Sequence, residues 1–265
     1  MYEVGSYEVK PFKRFMNQEV VEMSRFRYYI YGMADLDVTA ARTIIRAYKE
    51  KTGVTISFSA WISKCVAQAI SNNKIVHSMK KGRKLIVFDD VDISIPVERI
   101  IEGRPHLTLL VVRKANEKSV QEIHNEIRAV QNSEINVVSA EISRKKLKTL
   151  YKFPKFMRRM IFWNRLQKNP FMLKKLSGTC HVVSIGMFGP GRRGWGVNVG
   201  YLPIHVVLGG ISEQPRYEGD KLIKKEILNI TIKLDHVTID GGPATRFGVQ
   251  LADYIENAYA LDEFK

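Results

Sequence analysis

Residues 227–247 read ILNITIKLDHVTIDGGPATRF, and this stretch decides the fold. Apolar and polar residues alternate from Leu228 to Leu234, which predicts a β-strand with one apolar face. His236 is in phase with that face and extends it at the end of the strand. Pro243 suits the first position of a helix, and an apolar stripe at helical spacing follows it. The sequence therefore predicts a strand, a turn that contains a histidine, and an amphipathic C-terminal helix.

Helical and strand-like patterns also alternate through the rest of the chain. Apolar residues recur at three- and four-residue spacing after Asp37, after Ser57 and from Val120 to Val130, which predicts three helices. Short runs rich in β-branched residues predict further strands at Lys84–Phe88, Val91–Val97, Leu107–Val112, Thr179–Ile185 and Ile204–Leu208. We expect an α+β fold with a mixed β-sheet and helices packed on one side. We expect a single domain over residues 1–265, whose first 20 residues form an N-terminal arm.

The composition excludes several classes of protein. Of the 265 residues, 45% are hydrophobic and 26% are charged, as in ordinary globular domains. No apolar run is long enough to cross a bilayer, and the N-terminus lacks the apolar stretch of a secretory signal. We therefore expect no membrane span and a cytoplasmic location. Cys65 and Cys180 are the only cysteines, and no Cys or His pair has the spacing of zinc ligands, so no metal is expected.

Positive charge is concentrated in the middle of the chain. The net charge is +15, and no Asp or Glu occurs from Ser143 to Ser212. We interpret residues 144–175 as a basic helical insertion, which could attract phosphates, anionic lipid or nucleic acid. On a helical wheel at about 100° per residue, the apolar and basic residues of 155–168 intermingle, which does not predict an interfacial membrane helix. No nucleic-acid-binding module is recognisable, so nucleic acid is not an expected partner.

The motif His-x-x-x-Asp-Gly at His236, Asp240 and Gly241 carries the candidate chemistry. A neutral, partly desolvated imidazole on rigid backbone suits a general base near neutral pH. Asp240 lies at a turn, where it can fix a loop or orient a base or an arginine. Gly241 and Gly242 would let the backbone turn sharply into the last helix. The alternative is a core histidine bonded to backbone, and the spacing of the motif favours the catalytic interpretation.

Two more stretches, with this motif, carry a family resemblance. Residues 178–189 read GTCHVVSIGMFG, and residues 206–215 read VVLGGISEQP. Together with residues 235–247, they resemble the catalytic domain of the dihydrolipoamide acyltransferases of 2-oxoacid dehydrogenase complexes. That family is related in fold to chloramphenicol acetyltransferase. The resemblance runs from roughly Pro11 to Ala258, and it is the order and spacing of the three stretches that make it specific.

The resemblance implies a reaction and an assembly. In the family the histidine takes a proton from the thiol of coenzyme A or dihydrolipoamide, the thiolate attacks an acyl thioester, and a hydroxyl stabilises the oxyanion. Carried over by position, His236 is the base and Asp240 is a structural partner that holds the site through an arginine, assigned here to Arg14. A homotrimer with its active-site channel between subunits is implied.

Departures from the family pattern bear on activity. The oxyanion-stabilising hydroxyl falls on Val183, and Ser184 could replace it only if the strand register shifted by one residue, which would turn it to the other face. Arg192 and Arg193, in a glycine-rich loop, are candidates to contact the anionic groups of coenzyme A. We expect no lipoyl domain or lipoyl group in this chain, so a separate lipoyl-carrying protein is a possible partner.

Two functions of different class remain open at this point. In the first, the chain is an acyltransferase that uses coenzyme A and acyl-coenzyme A as substrates, with His236 as general base. In the second, it is a non-catalytic trimeric scaffold or binding protein of the same fold. Val183 favours the second function, and the intact spacing of His236, Asp240 and Gly241 favours the first.

Overall fold

The computed structural model describes residues 15–101, 103–132, 149–150, 152–186, 189 and 191–265. Most of the arm expected over residues 1–20, including Arg14, lies outside the described residues, as do residues 144–148 of the expected insertion. Within these residues the α-helices are α1 (Phe15–Met23), α2 (Thr39–Thr52), α3 (Phe58–Asn72), α4 (Val120–Asn132), α5 (Lys155–Arg158), α6 (Asn164–Lys168), α7 (Pro170–Ser177) and α8 (Gly241–Glu256). The strands are β1 (Tyr29–Asp37), β2 (Met79–Lys81), β3 (Lys84–Ile86), β4 (Ile93–Ile101), β5 (Arg104–Val112), β6 (Cys180–Ser184), β7 (Ile204–Glu218) and β8 (Lys221–Asp235).

Six strands form one mixed sheet in the order β1-β8-β7-β6-β4-β5, and β2 and β3 form a separate hairpin. β6 runs parallel to both β4 and β7, whereas the remaining neighbours in the large sheet are antiparallel. One face of the sheet buries its apolar side chains against α2, α3, α4 and α8 in the main core. The predicted mixed sheet with helices packed on one side is therefore confirmed.

The opposite face of the sheet is covered by an irregular segment, residues 192–203, which we call the covering segment. Its Gly194 N–H donates to Asn229 Oδ1 at 2.8 Å, and its Asn198 carbonyl accepts from Lys233 Nζ at 3.0 Å. The alternation predicted for β8 is present, but the polar side chains of that strand are buried as well: Asn229, Thr231, Lys233 and Asp235 are each at most 3% exposed. Both faces of this strand therefore lie inside the protein.

Two glycines in β7, Gly209 and Gly210, allow the covering segment to lie close to the backbone of this strand. A Cβ on Gly209 would lie 2.2 Å from the carbonyl oxygen of Gly194, and one on Gly210 would lie 1.7 Å from that of Arg192. The pairing of β7 with β8 is irregular at this point, between Leu208 and Ile211. The Gly-Gly pair of the VVLGGISEQP stretch is thus required by a close backbone contact.

Residues 155–168, which we call the basic helix, consist of α5, a π-helical turn (Arg159–Trp163) and α6. Trp163 and Leu166 on its inner side pack with Met23 of α1 in a second, smaller hydrophobic core. The indole of Trp163 donates to Glu19 Oε2 at 2.7 Å, and Arg158 pairs with the same carboxylate. The basic helix is therefore attached to the body of the protein by both apolar and ionic contacts.

Candidate active site

His236 is the first residue after β8, and backbone contacts fix its position. Its N–H donates to the carbonyl oxygen of Tyr28 at 2.7 Å, and its ring Nδ1 lies 2.7 Å from the carbonyl oxygen of Ile239. A carbonyl oxygen only accepts hydrogen bonds, so Nδ1 must carry the hydrogen. The neutral ring therefore presents the lone pair of Nε2, and this nitrogen is the one able to accept a proton.

The surroundings of His236 differ from the prediction. β8 ends at Asp235, so the imidazole lies in the following turn instead of extending the apolar face of the strand. In the single chain His236 is exposed, whereas partial desolvation was expected. The histidine is therefore held in place by backbone contacts rather than by burial.

Asp235 and Arg27 form the ion pair that holds this turn. The Asp235 side chain is 1% exposed and that of Arg27 is 15% exposed, and the guanidinium Nη1 contacts the carboxylate directly. Asp235 Oδ1 also accepts from the N–H of Val237 at 3.3 Å. The sequence did not predict this pair, since the only signal was an acidic residue directly before the histidine. Its partner lies 208 residues away and becomes adjacent only when β1 pairs with β8.

Asp240 and Gly241 occupy the start of the last helix. Asp240 is exposed at the N-cap position of α8, where its side chain makes no capping hydrogen bond. Its carbonyl oxygen accepts from the N–H of Ala244 at 3.2 Å. Neither Gly241 nor Gly242 has a positive φ, and no backbone atom crowds either. Neither position therefore requires glycine for a left-handed backbone or for a close backbone contact.

Val183 and Ser184 lie in β6 in the unshifted register. Val183 pairs with Val207, which pairs with Thr231, and Ser184 pairs with Leu208 of the main core. Since adjacent strand residues point to opposite faces, Ser184 shares the helix-covered face with Cys180 and Val182, whereas Val183 faces the covered polar side. The register shift that would give Ser184 the oxyanion position is absent.

The position of Val183 is also far from the imidazole of the same chain. Val183 is two strands away from Thr231, or about 10 Å at ordinary strand spacing. His236 follows Thr231 by five residues, which adds about 17 Å along the strand direction. The side chains of His236 and Val183 of one chain therefore do not meet.

The two arginines expected to contact coenzyme A are placed differently from each other. Arg193 pairs with Asp35 at 3.2 Å and lies over the Trp195 ring, 5.3 Å from its centroid. Arg192 is exposed, and its carbonyl oxygen approaches Gly210. Neither guanidinium lines the cavity next to the His236 turn.

A cavity of about 400 Å³ lies next to the His236 turn. Asp235 and Val237, the two residues that flank His236, line it together with the cations Arg27, Lys80 and Lys168. Its volume falls within the range of small-molecule sites. With three cations and one carboxylate in its wall, the cavity suits an anionic ligand.

Beneath the covering segment, titratable groups lie in a row across three strands. His181 pairs with His205, and His205 pairs with Lys233 in strand register. Burial lowers the pKa of His205 well below the ordinary value, with the neighbouring His181 and Lys233 adding to the effect. Burial also lowers the pKa of Lys233 to about 8. The two histidines are therefore neutral in the folded protein at neutral pH.

Two further features of the described residues bear on the sequence predictions. No group of three or more His, Cys, Asp or Glu side chains in this part of the chain is arranged to hold a metal ion. Among the helices that the structure describes, none is long and apolar enough to cross a membrane.

Comparison with known proteins identifies the family. Residues 3–136 and 163–261 match the family model described as 2-oxoacid dehydrogenases acyltransferase (catalytic domain), which leaves residues 137–162 unmatched. The lipoamide acyltransferase component of the branched-chain alpha-keto acid dehydrogenase complex of Bacillus subtilis (strain 168) is 32% identical over 103 residues. This stretch spans 37% of the chain and only 23% of that relative.

Two solved structures show the same fold. A dihydrolipoamide acetyltransferase of Azotobacter vinelandii, studied for the role of a serine, a histidine and an asparagine in its catalytic mechanism, matches with a TM-score of 0.70. The identity is 18%, and the match covers 97% of this chain and 94% of the other. A chloramphenicol acetyltransferase matches with a TM-score of 0.51 and 12% identity over 92% of this chain and 96% of the other. The predicted chloramphenicol-acetyltransferase-like fold is thereby confirmed. Because the family model covers most of the length of this chain, the chain belongs to the family of 2-oxoacid dehydrogenase acyltransferase catalytic domains.

Proposed function

We propose that the protein transfers acyl groups between coenzyme A and a second thiol, with His236 as general base. The observation that carries the proposal is the hydrogen bond from Nδ1 to the Ile239 carbonyl oxygen, because it leaves Nε2 as the basic nitrogen. The ring is exposed, so a thiol can reach it. Backbone contacts hold the imidazole in place, as general-base catalysis requires.

The reaction follows from this arrangement. Nε2 takes the proton of the acceptor thiol, and the resulting thiolate forms a bond to the carbonyl carbon of the acyl thioester. The tetrahedral intermediate then collapses, the bond to the donor sulfur breaks, and the imidazolium returns its proton to the departing thiolate. The imidazole is unchanged after one turnover, and no further reactant is required.

The distance between His236 and Val183 supports an active site shared between two copies of the chain. One copy cannot bring its own base to its own oxyanion position, so a second copy must supply one of them. The family resemblance implies a homotrimer with its channel between subunits, and we extend that assembly to this protein. Contact with the neighbouring copy would also supply the desolvation that His236 lacks in the single chain.

The cationic cavity next to the His236 turn supports coenzyme A as the substrate. Coenzyme A carries several phosphate charges, and Arg27, Lys80 and Lys168 face the cavity from three separate parts of the chain. We therefore assign the proposed anion-binding role to Arg27, Lys80 and Lys168 instead of Arg192 and Arg193. The acceptor that best fits the family is a dihydrolipoyl group carried by a separate protein.

A second function is favoured by one observation. Val183 supplies no hydroxyl at the oxyanion position, and Ser184 faces the helices. The loss of one oxyanion donor costs about 10²–10³ in rate. A trimeric scaffold that binds coenzyme A without turnover is therefore the competing proposal.

Replacing His236 with Gln tests the proposed function. We expect transfer of acetyl from acetyl-coenzyme A to dihydrolipoamide to fall by about 10²–10⁴-fold, because the general base is lost. Coenzyme A affinity, measured by calorimetry, should be unchanged. The matched control is His106→Gln, which removes an exposed histidine on β5.

The two proposals give different results in this experiment. Turnover by the wild type that disappears in His236→Gln supports the acyltransferase. Binding of coenzyme A without turnover in the wild type supports the scaffold. If coenzyme A does not bind at low salt, both proposals fail.

A further inference from the structure

The basic helix carries a surface that the family match does not include. Of its exposed apolar side chains, Phe156, Met160 and Ile161 lie in the unmatched stretch 137–162, as does Phe153 just before the helix. They are 70%, 64%, 49% and 42% exposed, respectively. Acyl transfer as performed by the family therefore does not account for this surface.

The π-helical turn gives the basic helix two distinct sides. A regular helical wheel mixed its apolar and basic residues, but Arg159–Trp163 form a π turn that holds one residue more and rotates the chain beyond it. Trp163 and Leu166 therefore face the body of the protein together with Arg158. Phe156, Met160 and Ile161 remain on the outer side.

Unneutralised positive charge surrounds the exposed apolar side chains. Lys155 pairs with Glu22, and Arg158 pairs with Glu19. Within the described residues, by contrast, no carboxylate pairs with Lys152, just before the helix, or with Arg165, and both are exposed. Arg159 and Lys168 line cavities on the side of the protein body, Arg159 beside Glu19 and Glu22 and Lys168 beside Asp235. The chain offers no acidic residue from Ser143 to Ser212 to balance them. The outer side of the basic helix therefore combines exposed apolar side chains with cations that no carboxylate neutralises.

We propose that the outer side of the basic helix docks on an anionic lipid bilayer surface. Lipid phosphates complement the exposed cations Lys152 and Arg165, and each cation near such a surface contributes attraction. Phe156, Met160 and Ile161 enter the headgroup region, where apolar side chains of interfacial helices lie. The helix spans about 21 Å at 1.5 Å per residue, which suits binding along a surface rather than across a membrane.

The identity of the apolar residues favours lipid over single-stranded nucleic acid. Stacking platforms for bases are aromatic or guanidinium planes. Met160 and Ile161 present aliphatic groups next to Phe156, and aliphatic groups complement acyl chains. The inner side, with Trp163 and Leu166 already in the second core, keeps the helix folded whether or not a bilayer is present.

Vesicle flotation with the whole chain tests this inference. Vesicles of phosphatidylcholine are compared with vesicles that also contain phosphatidylglycerol, at low and at moderate salt. We expect binding to the anionic vesicles alone, weakened by salt. The double variant Phe156→Ser/Met160→Ser should bind at least about tenfold more weakly, because two apolar side chains no longer enter the bilayer. Lys152→Gln/Arg165→Gln should also weaken binding and reduce its dependence on salt.

Matched control variants distinguish binding through this surface from nonspecific electrostatic or hydrophobic binding elsewhere on the protein. Leu222→Ser removes a side chain that is 62% exposed on the distant β7–β8 hairpin, and Lys49→Gln/Lys51→Gln removes two exposed cations of α2. Both controls should bind anionic vesicles like the wild type. The inference is overturned if anionic vesicles are not bound at low salt, or if Phe156→Ser/Met160→Ser binds as well as Leu222→Ser. Binding to single-stranded DNA or polyglutamate in the absence of vesicle binding would assign the surface to another class of partner.

Discussion

At the level of single residues, the site depends on which atom of each side chain is presented. The Ile239 carbonyl oxygen selects Nε2 of His236 as the basic nitrogen. The strand register presents Val183, and not Ser184, on the face opposite the helices. The proposed base is therefore held in place, and the proposed oxyanion position carries no hydroxyl donor.

Val183→Ser tests that deficit directly. We expect kcat for acetyl transfer to rise by about 10- to 1,000-fold, because the new hydroxyl would donate to the oxyanion. Steady-state kinetics measure the change, with thermal denaturation to confirm that the half-buried site still packs. Ser184→Ala is the matched control and should leave kcat unchanged, since its side chain faces the helices. An unchanged rate in Val183→Ser would mean that this position is not at the reacting thioester.

At the level of elements, the covering segment and β7 constrain each other. The carbonyl oxygens of Arg192 and Gly194 lie where side chains on Gly210 and Gly209 would begin. Gly200 has the same role against the ring of His205, because a Cβ at Gly200 would lie 2.1 Å from ring Cε1. The polar face of the sheet is buried because these glycines leave room for the covering segment to pack directly against it.

Gly210→Ala should destabilise the fold. The added methyl group meets a backbone carbonyl that cannot move without shifting the covering segment, and such overpacking costs about 1–3 kcal/mol. Urea unfolding measures the loss. Gly32→Ala is the control, because Gly32 lies in β1 with no heavy atom within 4 Å of the added Cβ, and its effect should stay within about 0.5 kcal/mol. Equal stability of the two variants would contradict the close approach.

At the scale of the whole molecule, the row of buried polar groups couples folding to pH. His205 is 1% exposed, its Nδ1 accepts from Asn198 Nδ2 at 3.0 Å, and Lys233 and His181 flank it. A proton on this ring would be buried next to the Lys233 ammonium and near Arg27. The folded state therefore disfavours protonated His205, whereas the unfolded chain protonates the same ring at an ordinary pKa.

This coupling predicts that stability falls in mild acid. Because the folded pKa of His205 is lowered, the unfolded state binds more protons below about pH 6.5, and the free energy of unfolding decreases as the pH falls through that range. The neutral variant His205→Gln should show a shallower decrease than the wild type in urea unfolding between about pH 7 and pH 5. His106→Gln, at an exposed site, should keep the slope of the wild type. Parallel pH profiles for wild type and His205→Gln would refute the coupling.

The sequence by itself determined the features that depend on near neighbours along the chain. The alternation from Leu228 to Leu234 and the helix near Pro243 appear as expected, because periodicity is a local property. The order and spacing of three short stretches then indicated the family and its fold.

Only the tertiary structure decided which groups meet. Arg27 pairs with Asp235 through the β1–β8 register, the polar face of β8 is buried by the covering segment, and a π turn re-phases the basic helix. His236 lies exposed in a turn, far from its own Val183. The physical reason is common to all four: contacts between distant parts of the chain, and the backbone geometry they impose, are not set by the spacing of residues within a single strand or helix.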